Sequence, residues 1–202
     1  MPPRSAVLKT KPARPSPKKE KLLATAEDLF DRYGFFGTGV DRVIADSGVA
    51  RMTLYKHYPT KGALVRAVLE RRDTRLWQVV ETEAARLAEG GAHPLLSLFD
   101  GLERWMAKHG GQGCLLLRAL GEYSSHDVAI AGDAAFRKKK TAAVFTRHLQ
   151  ALGVTDAERR GGQLALLFDG AMAAGPVDGP AEAAATARQA AETLLWAWDV
   201  QD

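Results

Sequence analysis

Hydrophobic positions recur along this chain with the period of a helix. Leu22, Ala26, Leu29, Phe30 and Tyr33 follow one another at spacings of four, three, one and three, which is one face of an amphipathic helix. In front of them, Ser16-Pro17 supplies a capping hydroxyl and a proline suited to the first helical position; behind them, Gly34 stops the helix. The pattern then predicts a loop over 35–39 and a short helix over 40–47 with Val40, Val43 and Ile44 inward. Gly48 breaks that helix, Val49 plugs the turn, and a second short helix covers 51–58. After Pro59, Thr60 caps a long helix carrying Leu64, Val65, Val68, Leu69, Leu76 and Val80, which ends near Gly90-Gly91. At 1.5 Å per residue such a connector reaches about 40 Å, enough to join two lobes.

The remainder reads as further helices between glycine, proline and polar breaks, over 94–109, 114–123, 126–152, 156–174 and 181–198. No stretch alternates apolar and polar residues between turn signals, so no strand is expected. The predicted fold is all-α: an N-terminal three-helix unit with a helix-turn-helix, joined by a long helix to a C-terminal helical domain. Residues 1–15, rich in Pro, Lys and Arg and without a hydrophobic period, read as a disordered basic arm. The domains follow as 16–66 and 67–202.

Composition narrows the class. Hydrophobic residues at 46% and charged ones at 26% are the profile of a folded, soluble chain. The lone cysteine, Cys114, has no internal partner for a disulfide, which fits a reducing compartment. No apolar run approaches the roughly 18 residues of a membrane span, and the first twenty residues lack the apolar stretch of a secretory signal. A cytoplasmic protein without a membrane partner is expected. Charge is uneven: residues 1–66 carry 13 Lys+Arg against 6 Asp+Glu, while the rest carry 15 against 18. A basic N-terminal third on a mildly acidic remainder points to a polyanion partner for that third alone.

Two short helices joined by a glycine turn are the geometry that lets the second helix enter a major groove. Val43, Val49 and Leu54 supply the buried contacts, and Gly48 takes the turn position. The helix over 51–58 then has little left to bury. Arg51, Met52, Thr53, Tyr55, Lys56 and His57 are donors or contact groups free to point outward, with Leu54 taking the buried slot beside Tyr55. Met52 suits a thymine methyl or the cover of the turn. Arg42 and Lys56 are phosphate candidates or solvated surface charges. Lys61 stands in the first turn of the long helix, where free N–H groups and the helix dipole already favour an anion.

The stretch from Gly34 to Leu69, GFFGTGVDRVIADSGVARMTLYKHYPTKGALVRAVL, resembles the signature of the TetR family of bacterial repressors. Its core is the run Thr53-Leu54-Tyr55-Lys56-His57-Tyr58-Pro59-Thr60-Lys61. The resemblance implies that Thr53, Tyr55 and His57 meet DNA and that Lys61 meets a backbone phosphate. It also implies a homodimer on a palindromic operator and a small-molecule effector held by the C-terminal helices. Two positions depart from the family pattern. Gly39 replaces a second capping threonine, so Thr38 is expected to take over the cap and to join the DNA-facing set; Ile44 fills a slot that is often alanine.

Two stripes suit a dimer seam: Leu164, Leu167, Phe168, Ala171 and Met172, and then Ala183, Ala187, Ala190, Ala191, Leu194 and Trp198. Internal core packing is the competing reading. An apolar pocket has candidates in Trp77, Phe99, Met106, Cys114, Leu117, Phe145 and Phe168, each of which also suits ordinary core. Arg118, Glu122 and His126, at i, i+4 and i+8, are either polar anchors for a ligand or a solvated ion-pair ladder. Lys138-Lys139-Lys140 reads as exposed helix surface.

Two other functions compete. A non-specific DNA-coating protein accounts for the basic arm but not for the long second domain. An all-helical enzyme built on Cys114, with His126 and Asp127, lacks any supporting glycine-rich, acidic or metal-spaced motif. The five histidines, 57, 93, 109, 126 and 148, lack the spacing of a metal site, and neither a metal nor a cofactor is expected.

Overall fold

Helix α1 (Pro17–Tyr33) starts where Ser16, in an extended conformation, accepts a hydrogen bond from Lys19 N, and stops at Gly34. The computed structural model describes residues 16–109 and 112–200, so the basic arm expected over 1–15 lies outside the described residues. Eight more helices follow: α2 (Val40–Ser47), α3 (Arg51–His57), α4 (Lys61–Glu89), α5 (Pro94–His109), α6 (Leu115–Tyr123), α7 (Val128–Ala151), α8 (Ala157–Asp178) and α9 (Pro180–Ala197). No strand occurs among the described residues, as the absence of alternation led us to expect.

Local chemistry explains most boundaries. The Thr60 hydroxyl accepts from Ala63 N and opens α4. The Asp127 carboxylate accepts from Ala129 N and Ile130 N, so α7 starts two residues later than the hydrophobic period alone suggested. At α8 the expectation of an end at 174 is corrected, because the helix runs through Pro176 to Asp178. Proline removes one donor, here the partner of Met172 O, and that loss is tolerable in a last turn whose carbonyls are already running out of partners.

Helix α1 packs on α2, α3 and α4, and α4 runs on from this N-terminal cluster to lie along α5. Helix α5 in turn packs on α9, α9 on α8, and α8 on α7. Gly101 allows a close crossing: a Cβ there would fall 2.6 Å from Val80 O, so α5 rides directly on the backbone of α4. One apolar core runs from Leu22 to Val200. The α1–α4 contact also holds a buried ion cluster. The Glu27 carboxylate, 4% exposed, accepts from Arg71, Arg72 and Arg75, and Arg72 reaches on to Asp31 and to His109 O. Removing one partner from such a cluster leaves a buried charge uncompensated, so the cluster ties α1 firmly to α4 and α5.

Candidate nucleic-acid interface

The turn between α2 and α3 is built from its smallest residues. Gly48 sits at φ 63°, ψ 17°, the left-handed region that a side chain disfavours. The buried Ser47 hydroxyl, which the sequence pattern did not single out, donates to Ile44 O and accepts from Val49 N, closing the turn. Val43, Val49 and Leu54, all under 10% exposed, lock the two helices together. Of the seven residues of α3, only Leu54 is buried.

The other six residues of α3 are at least partly exposed. Met52 is 81% exposed, Arg51, Tyr55 and Lys56 are exposed, and Thr53 and His57 are half-buried. Arg51 is held by Asp41 of α2 at 2.7 Å. Arg42 lies over the Tyr33 ring, 4.0 Å from its centroid, and pairs with Asp46 at 3.7 Å. Lys61 is the first residue of α4 and half-buried, with its ammonium 5.9 Å from the centre of the Phe36 ring. Burial lowers its pKa, and the Glu122 carboxylate opposes that shift.

Thr38 lies elsewhere. It is fully buried, and its hydroxyl donates to Leu29 O at 3.2 Å and Gly34 O at 2.8 Å. It therefore fastens the end of α1. It neither faces solvent nor caps α2, whose N-cap is Gly39 with no side-chain bond.

The expected ligand anchors Arg118 and Glu122 also do something else. The Glu122 carboxylate accepts from Phe35 N at 3.2 Å and Phe36 N at 2.8 Å. The Arg118 guanidinium donates to Phe30 O at 3.2 Å and Asp31 O at 2.5 Å, carbonyls of the last turn of α1. Phe36 adds its ring against Tyr123 and His126, at 5.1 and 5.2 Å between centroids. Helix α6 thus grips the α1–α2 loop, and the two side chains bond across elements rather than forming a solvated ladder.

The other pocket candidates mostly fill the core. Phe99, Phe145 and Phe168 are 1% exposed or less and meet at 5.4–6.0 Å, and Met106 and Cys114 are also buried in the chain's core. Trp77 stacks on Phe168 with its ring only 8° from parallel, yet stays half-buried and lines a groove of about 680 Å³ between α4 and α7. That groove meets a second, of about 390 Å³, at Glu81 and Arg147; Ala84, Ala88 and Leu98 line the latter.

The proposed seam also turns inward. Leu164, Ala171, Ala187 and Ala191 are buried within one protomer, since α8 and α9 pack on each other and on α7 and α5. Leu167, Leu194 and Trp198 are half-buried. The outward faces of these helices carry Leu166, Gly170, Ala173 and Val177 on α8, and Ala185, Gln189 and Trp196 on α9. Leu166, Val177 and Trp196 are 74%, 84% and 78% exposed. Lys138, expected at the surface, is mostly covered and pairs with Asp169 of α8.

Residues 22–68 match the family model described as bacterial regulatory proteins, tetR family. Among curated relatives, the regulator LmrA of Bacillus subtilis is 42% identical over 41 residues, which is 20% of this chain and 22% of that protein. RutR of Escherichia coli is 39% identical over 54 residues, 27% of this chain and 26% of that protein. These alignments span about a quarter of the relatives' length. The fold likeness is broader: a TetR-family transcriptional regulator from Streptomyces coelicolor superposes with a TM-score of 0.78 at 27% identity, over 92% of this chain and 96% of that one. Both curated relatives are named as transcriptional regulators, and the matched segment does not include Cys114, on which the enzyme reading rested. Residues 22–68 therefore carry the helix-turn-helix segment of the tetR family of bacterial regulatory proteins, on a chain whose fold is similar to that of a TetR-family transcriptional regulator.

Proposed function

We propose that two copies of this chain bind a palindromic operator in duplex DNA, act there as a cytoplasmic repressor, and let go when an apolar or amphipathic small molecule binds. The observation that carries the reading is α3, which buries Leu54 alone and leaves its other side chains at least partly exposed. Arg51, Met52, Thr53, Tyr55 and His57 read base edges, while Arg42, Lys56 and Lys61 take phosphates. Among the described residues no helix is long and apolar enough to cross a membrane.

Dimerisation uses the outward faces of α8 and α9, where small residues let helices approach closely and Leu166 and Trp196 supply apolar area. The effector sits in the α4–α7 groove, with its body on Trp77 and Val144 and its polar end between Glu81 and Arg147. A ligand that favours a different spacing of α4, α6 and α7 reaches the DNA end through the α6 grip on Phe35 and Phe36. The response then equals its differential affinity for the two arrangements, about 1–3 kcal/mol in typical cases.

Selection from random DNA tests the core of this. The expected product is a palindrome with half-sites about one helical turn apart, or about 34–36 Å. Lys61→Ala should weaken binding to all sequences alike and lower the salt slope by about one charge per half-site. Tight binding that ignores sequence would instead support a DNA-coating protein.

A further inference from the structure

On the side of α4 that faces α5 lies a further groove of about 690 Å³. Arg75 and Arg86 come to it from α4, Arg104 and Lys108 from α5, and Glu83 is its single carboxylate. Glu83 is shared, with Arg86 on one oxygen at 2.6 Å and Arg104 on the other at 3.2 Å. Lys108 has no carboxylate partner among the described residues. Arg75 leans on Glu27 at 3.3 Å, but Glu27 already serves Arg71 and Arg72. Four cations therefore surround one concavity that holds one carboxylate, and their mutual repulsion is lowered by any anion that enters.

Uncharged donors extend the same walls. Gln78 and Thr82 line the groove from α4. Trp105, 1% exposed, forms part of its lining, and its indole N–H is buried with no acceptor among the described residues. A buried N–H left without an acceptor costs about 1–3 kcal/mol, so an acceptor supplied from the groove has something to gain here. Guanidiniums bind carboxylates and phosphates through paired, charge-assisted bonds, and cations arriving from two walls suit a ligand with more than one negative group.

We propose that this α4–α5 groove binds a small polyanion, a compound carrying two or three carboxylates or a phosphate ester. It lies on the α5 side of α4 and adjoins the α4–α7 groove assigned above to the effector at Gln78 and Thr82, which line both.

The test is thermal unfolding and titration calorimetry of the full chain with citrate, glycerol phosphate and acetate, all at one ionic strength. Citrate or glycerol phosphate should raise the melting temperature saturably, and the one that acts identifies the source of the negative groups; acetate should not. The Trp105 indole N–H resonance should move with the same dissociation constant. Arg104→Gln with Lys108→Gln, both at exposed positions, should weaken binding at least tenfold while the helical circular-dichroism signal stays intact. Arg147→Gln, in the other groove, should leave it unchanged. Equal shifts with acetate, no saturable shift with either polyanion, or undiminished binding in the double variant would each overturn the proposal.

Discussion

At Thr38 a single hydroxyl proton is shared between two carbonyls, Leu29 O and Gly34 O, in a site without solvent. Thr38→Val keeps the shape and removes both bonds, so it should destabilise the fold by about 1–3 kcal/mol. A drop of several degrees in melting temperature with DNA affinity retained would bear this out; lost affinity at full stability would return Thr38 to the DNA face. The sequence could not separate these outcomes, because a short hydroxyl before a helix looks the same whether it bonds its own backbone or points away. His109 carries a pH dependence. Burial first, then the charges of Arg72 and Arg75, push its pKa from 6.5 down to about 4. The folded chain therefore keeps a neutral imidazole where the unfolded chain takes up a proton. That contribution is whole above about pH 6.5 and is lost as pH falls toward 4. In His109→Gln, melting temperatures measured at pH 5 and pH 7.5 should lie closer together than in the unaltered protein.

Helix ends were readable wherever a cap is a local bargain between neighbours. Ser16, Gly34, Gly48 and Thr60 each act within four residues of themselves, and each stands where the sequence placed it. The work of α6 was not readable, since Glu122 meets amides 86 and 87 positions away. Spacing at i and i+4 showed that Arg118 and Glu122 share a side, but not what that side touches. Glu122→Gln keeps one acceptor and loses the charge, so the two amides should be held less tightly. Hydrogen exchange at Phe35 and Phe36 should quicken severalfold, with core amides such as Leu102 unchanged. Unaltered exchange at both would mean that the carboxylate contributes little to the grip.

At the scale of the molecule, the alanine-rich stripes of α8 and α9 were found, but their direction was not. Alanine packs as readily against its own bundle as against a second one, so the period alone does not say which face meets a partner. The two faces now separate by experiment. Leu166→Glu should leave a folded chain that sediments as a monomer and has lost operator affinity, because an unpaired charge buried in a seam costs several kcal/mol. Leu164→Glu, in the protomer core, should instead abolish cooperative unfolding. A dimeric Leu166→Glu would move the seam off this face. The grip of α6 has a consequence for how such a protein diversifies. Arg118 and Glu122 hold carbonyls and amides, groups that every residue but proline presents alike. The joint is therefore indifferent to which side chains α3 displays. Transplanting another operator's reading residues onto positions 51–57, with Leu54 kept, should change the DNA address while leaving the same small molecule in command.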